Sequence, residues 1–185
     1  MNHLRFGADK QFNKELIALA IPFALQGLLN ALVGASDALM LGRLTQASVA
    51  AVSLANQVSF VLSLFISALV GAVGVLTAQY YGKGDMGTVR NLLSMALRYV
   101  LILTLIFFSL AFFIPERLML LFTDEPELIE IGTGYLKIVS FSYLFQGLSQ
   151  CYLMLMKIDG RAKVSVWISA VTVVIDMTVD FFLIY

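Results

Sequence analysis

Three carboxylates stand where carboxylates are costly. Asp37 closes an apolar run that begins at Leu16 and meets no other charge until Arg43, while Asp176 and Asp180 follow an apolar run from Val164 to Ile175. An Asp near the centre of a bilayer costs about 2.5–3.5 kcal/mol on insertion scales, so an acid inside a span marks a functional site. The chemistry on offer is the binding and release of a proton or small cation. Asp176 and Asp180 are four residues apart and share one helical face, with Thr172 one turn earlier. Two like charges that close in low dielectric cannot both ionise cheaply, so one holds a proton near neutrality or the pair holds a cation. The plainer alternatives are a helix-end acid beside Arg43 for Asp37 and a wet position past an early helix end for Asp180.

Asp37 has polar company. Gln26, Asn30, Gly34 and Asp37 follow one another at spacings of four, four and three, which is one face of a helix. Pro22 lies one turn below, removes a backbone hydrogen bond and bends the helix. Gln26 and Asn30 serve equally well as hydrogen bonds to neighbouring helices. Ser59, Ser63 and Ser67, also four apart, predict close helix packing. Ser142, Gln146, Ser149 and Gln150 fit packing and pore lining alike, and Phe107, Phe108, Phe112 and Phe113 are expected to face lipid.

The elements that must hold these residues are membrane spans. With 60% apolar and 13% charged residues, the composition excludes an ordinary soluble core. Charge-free runs predict an all-α membrane protein with five helices near 16–41, 49–80, 91–114, 135–156 and 164–185. The run from Leu44 to Gly82 contains no charged or Pro-containing turn and reads as one long tilted helix. The first run lies behind a polar start and is too long for a signal-peptide core, so it reads as a retained helix. Net charge is zero, which gives no basic face for nucleic acid, and one Cys with one His makes neither an internal disulfide nor a zinc set.

Orientation follows from Lys and Arg. Arg5, Lys10 and Lys14 in the amino-terminal arm, Lys83, Arg90 and Arg98 around the second loop, and Lys157, Arg161 and Lys163 at the fourth fall on one side. The third loop is acidic, with Glu116, Asp124, Glu125, Glu127 and Glu130. The positive-inside rule puts the amino terminus and the second and fourth loops in the cytoplasm of a cell whose inner membrane the chain crosses. Arg98 and Lys137 stand close enough to span ends to snorkel, and for Lys137 the alternative is pairing with one of the acids. At roughly 1.5 Å per residue, Asp37 lies about 30 Å from Leu16, and Asp176 and Asp180 about 18 and 24 Å from Val164. All three belong to the outer half and would face one cavity if their helices are neighbours.

Gly82-Lys83-Gly84-Asp85 spells a pattern seen in intramembrane aspartyl proteases. Its context opposes that reading: Asp85 stands between Lys83 and Arg90 in a loop and predicts a glycine turn capping the next helix. No phosphate-binding glycine loop, nucleophile elbow or zinc helix occurs, so no enzyme activity is expected.

Taken together, these residues resemble the multidrug and toxic compound extrusion (MATE) family of transporters. The resemblance rests on Pro22, Gln26, Asn30 and the stretch Asp37-Ala-Leu-Met-Leu-Gly42, then on Ala50-Ala51-Val52-Ser53, Gln79-Tyr-Tyr-Gly82-Lys-Gly84-Asp85 with Arg90, and Ile158-Asp-Gly160-Arg-Ala-Lys163. It implies twelve helices in two six-helix lobes and export of drugs, often organic cations, against inward protons or Na⁺. On that footing the chain is helices one to five of the amino-terminal lobe, stopping at Tyr185 inside the fifth, and its partners are membrane lipid, a cationic small molecule and the missing second lobe. Asp37 would be the first-helix acid. The fifth-helix pattern of asparagine, three residues, aspartate matches Asp180, while Asp176 stands where asparagine is usual. Coupling would use H⁺ or Na⁺ at Asp37 and Asp180, with no other cofactor. The rival readings are a lipid-linked saccharide flippase of the same superfamily, which would favour basic cavity residues, an intramembrane protease built on Asp85, and a non-functional structural fragment.

Overall fold

The structure is a computed structural model that describes residues 13, 14, 16, 17, 20, 21, 24, 25, 27–29, 31 and 45–184, without the side chains of 162, 163, 176, 177 and 179–184. Every described residue from 13 to 31 is α-helical, and the described residues contain no strand. From residue 45 onward the helices are α1 (Gln46–Gly82), α2 (Met86–Phe113), α3 (Pro115–Met119), α4 (Pro126–Ile158) and α5 (Ala162–Ile184). By contact the chain divides into two compact units, one of Leu41–Asp159 and one of Met1–Met40 with Gly160–Tyr185.

Helix α1 is a single element, as its uninterrupted apolar sequence requires. Thr45 caps it, its hydroxyl accepting from the Ser48 N–H at 3.2 Å. At 37 residues it reaches about 55 Å, well beyond a hydrocarbon core of roughly 30 Å, so tilt or protruding ends must take up the excess. The three helices α1, α2 and α4 are each long and apolar enough to span. Helix α5 runs for 23 residues, and in its sequence the charge-free stretch before Asp176 is Val164–Ile175.

Within the Leu41–Asp159 unit, α4 packs against both α1 and α2, which also pack on each other. Buried residues recur every three or four positions: Leu62, Ile66 and Val70 on α1, Ala96, Val100 and Thr104 on α2, Tyr143, Gly147 and Cys151 on α4. Small residues set how closely the helices approach. A Cβ at Gly147 would stand 2.5 Å from Val100 Cγ1 and 2.7 Å from Thr104 Cγ2, so the crossing of α2 and α4 accepts only glycine without repacking.

Two elements differ from the sequence expectation. The helix that carries the fourth span starts at Pro126, nine residues before the span start the sequence places at 135, with Pro126 at its first position and Glu127 in its first turn. The short helix α3 fills part of the acidic loop, and its Met119 is buried against Gly132 of α4.

Candidate functional site

The predicted ion site falls in two places. Pro22, Gln26, Asn30 and Asp37 lie outside the described residues. Asp176 and Asp180 lie on the continuous helix α5, four residues apart and therefore one above the other, which is the backbone placement the paired-acid reading needs. Helix α5 continues to Ile184, past Asp180.

What the described side chains show is how the unit of α1, α2 and α4 is locked. Three hydrogen bonds tie α4 to α1 at successive heights. Tyr135 Oη donates to Asn56 Oδ1 at 2.9 Å, Tyr143 and Ser59 share a bond of 3.0 Å, and Tyr81 Oη donates to Asp159 Oδ1 at 2.6 Å. Partners rise together along both chains, so α1 and α4 run parallel; Gly147 against Val100 and Thr104 belongs to the α2 side. Inside hydrocarbon a bond such as that of Tyr143 with Ser59 adds a modest stabilisation, averaging about 0.6 kcal/mol and up to about 1.7 kcal/mol in a membrane bundle. Sequence reading missed this tyrosine ladder. Its signal was available: Tyr135 and Tyr143 stand eight residues apart on one helical face.

The serine stripe on α1 divides. Ser59 joins the ladder, Ser63 is half-buried and bonds its own helix at Phe60 O, and Ser67 is exposed, so the packing role belongs to its first part. On α4, Ser142 is exposed and bonds Val139 O, while Gln146 is half-buried. Phe113 is 72% exposed, but Phe108 and Phe112 stack on each other and both meet Phe141 edge-on at 5.3 and 5.6 Å. Arg98 and Lys137 are exposed.

Two glycine turns end α1 and α4. At the first, Gly84 has φ +76°, Gly84 N–H donates to Tyr81 O and Asp85 N–H to Tyr80 O, and Lys83 Nζ sits 5.2 Å from the Tyr80 ring centre. Asp85 then caps α2, accepting from the Thr88 N–H at 3.0 Å and the Thr88 hydroxyl at 2.6 Å. Those bonds hold its carboxyl below the ordinary carboxylate range. An exposed, ionised capping acid is the opposite of a dry protease aspartate. At the second turn Asp159 closes α4, its N–H donating to Leu155 O at 3.0 Å, and Gly160 follows with φ +73°.

The MatE family profile matches residues 22–182, from the proline of the first span through both acids of α5. The chain belongs to the MatE family. Its relatives include the probable multidrug resistance protein NorM of Rhizobium meliloti, 27% identical over 90% of this chain and 36% of that protein. The multidrug resistance protein PmpM of Pseudomonas aeruginosa is 26% identical over 93% of the chain and 36% of its own length. An FAD transporter of Shewanella oneidensis is 29% identical over 70% of the chain and 28% of its own. The chain thus spans about a third of the length of these relatives. Membership makes it part of an integral membrane protein of an all-helical transporter family.

Proposed function

We propose that this chain is the amino-terminal part of a cation-coupled multidrug exporter. Protons or Na⁺ arriving from outside neutralise Asp37 and Asp180, with Asp176 beside them, and displace a cationic drug held near Gln26 and Asn30. Ion and drug compete for the same carboxylates, so each weakens the other by the same factor. No covalent step is involved. The observation that supports this reading is the pairing of Asp176 and Asp180 on one face of α5 within the family match. A proline in the first span, Pro22, suits a conformational role in turning the ion's arrival into a change of shape. The rest of the protein supplies the second bundle that alternating access needs.

The test uses the whole protein in proteoliposomes with an imposed pH or Na⁺ gradient and a fluorescent organic cation. Gradient-driven dye movement is expected in the parent and lost in Asp37→Asn and Asp180→Asn, while Asp176→Asn is tolerated. Normal gradient-dependent efflux by Asp37→Asn sinks the role assigned to it; equal damage from Asp176→Asn and Asp180→Asn makes the two acids one coupled site. The FAD-transporter relative motivates a second reading, a flavin-type anionic cargo. Flavin-nucleotide movement without dye movement in the same vesicles would favour it.

Orientation in the inner membrane belongs to the proposal: Lys83, Arg90, Lys157 and Arg161 on one side and the acidic loop on the other place the Gly84 turn in the cytoplasm. Cysteines introduced at Asp85 and Asp124 should react with an impermeant reagent from opposite sides. Labelling from the same side overturns the topology.

A further inference from the structure

We propose that the exposed face of α2 holds an anionic phospholipid: Arg98, with Ser94, Asn91 and Arg90 on its Met86 side, takes the headgroup, and the groove on its Phe113 side takes an acyl chain. The site lies wholly within the Leu41–Asp159 unit. Depth along the helix is the first argument. The apolar end of α2 is bounded by Pro115 and Glu116, just past Ile114. Counted back from Ile114, a hydrocarbon core of roughly 30 Å takes about 20 residues and begins near Met95. Arg98 therefore sits about one turn inside it, where a cation needs an anionic partner or a path to the headgroups. Arg90, Ser94 and Arg98 follow at spacings of four, Asn91 stands seven before Arg98, and all four are exposed. Long helical side chains lean toward the amino-terminal end of their helix, which carries the Arg98 guanidinium toward Ser94 and the headgroup level. Helix α2 contains no carboxylate, and Asp85, which caps it, is engaged by the Thr88 N–H and hydroxyl.

Past Arg98 the same face turns apolar. Ile102, Leu105 and Ser109 continue the stripe at four, seven and eleven residues from Arg98. An open groove of about 520 Å³ runs along it from Ile102 to Ile114, walled by Leu105, Ile106 and Phe113. At 1.5 Å per residue that is about 18 Å along the helix. The one hydroxyl of the groove, on Ser109, donates to Leu105 O of its own helix at 2.8 Å, so the groove offers no free donor to a polar ligand. A ligand that fits both halves is anionic at one end and an alkyl chain beyond it, with the junction at the depth of Arg98. A packed protein helix could fill the groove, but it would have to bring an acid to that depth. A phospholipid has its phosphate there by construction, and charge complementarity selects a net anionic one.

The experiment uses the whole protein in lipid vesicles, with its cysteines, Cys151 among them, replaced by Ala and Leu105→Cys carrying a fluorescent label. Quenching is read with phosphatidylglycerol brominated on its acyl chains and, separately, with phosphatidylcholine brominated alike, each diluted into unbrominated phosphatidylcholine. Preference is the ratio of the lipid fractions that give half quenching. The parent should prefer the anionic lipid, and Arg98→Gln should lower that preference about fivefold, the weight of one basic side chain near a membrane surface. Arg98→Lys keeps the charge, should retain most of the preference, and covers a folding defect in the glutamine variant. Lys83→Gln removes the same charge from the turn after α1, off this face, and should leave the preference unchanged. Absence of quenching by either lipid means that protein covers the groove, and equal quenching by both means that it takes lipid without selection. Either result, or equal losses in Lys83→Gln and Arg98→Gln, overturns the proposal. The readout does not pass through transport, so the lipid site and the antiport reading fail separately.

Discussion

The turn after α1 and the turn after α4 start from the same local device and differ in the bonds that surround it. Each places a glycine at φ above +70° just past a long helix. Around Gly84, backbone bonds to Tyr80 and Tyr81 and the Asp85 cap on Thr88 stitch the turn to the helices on both sides. At the second turn the residue before the glycine, Asp159, accepts a hydrogen bond from the Tyr81 hydroxyl of α1. The conformation of a glycine therefore says little about whether a turn is a joint or a weld. What decides is whether the groups on both sides are tied into one packed unit, as α1 and α2 are.

Replacing each glycine by alanine puts that contrast at risk. With no steric neighbour at either site, the substitution acts through φ alone, at about 1–2 kcal/mol for holding alanine left-handed. At Gly84 the strain is held by the welded unit. Gly84→Ala should speed hydrogen exchange across α1 and α2 by roughly an order of magnitude, since about 1.4 kcal/mol is tenfold, and Gly84→Asn should recover most of it. Gly160 lies outside the unit that holds α1 and α2, and exchange in those helices should stay at the parent rate in Gly160→Ala. Equal acceleration from the two alanine variants would erase the distinction.

A smaller effect is expected from the cap that makes the first turn a weld. The folded-state pKa of Asp85 is lowered, so its contribution to stability is present above the ordinary carboxylate value and is lost as pH falls through the lowered folded value. Thermal melts of the parent and Asp85→Asn should differ at neutral pH and converge as the medium becomes more acid than that value. A difference that grows on acidification would mean the carboxylate is held protonated, and the capping account would be wrong.

Much of this organisation is legible in the residues. The Leu44–Gly82 run lacks any breaker and forms one helix, and Gly82-Lys83-Gly84-Asp85 forms the capped turn its composition predicts. The start of α4 is not legible, because charges that end a membrane-buried run do not end a helix that leaves the membrane. Of the candidate site, the sequence names Asp37, Asp176 and Asp180 by the cost of a carboxylate in an apolar run, and the structure adds that the latter two share a helix. The residues Pro22, Gln26, Asn30 and Asp37 lie outside what it describes.

Sequence by itself determines the membrane class, the family and which residues are too polar for their surroundings, because transfer energies act residue by residue and leave their mark on composition and spacing. Tertiary structure alone decides that Tyr81 meets Asp159, that Tyr143 meets Ser59, and that Gly147 admits Val100 and Thr104. Those meetings depend on the parallel run of α1 and α4 and on how closely small residues let helices approach. No local pattern encodes that distance; it arises only when the facing surfaces pack.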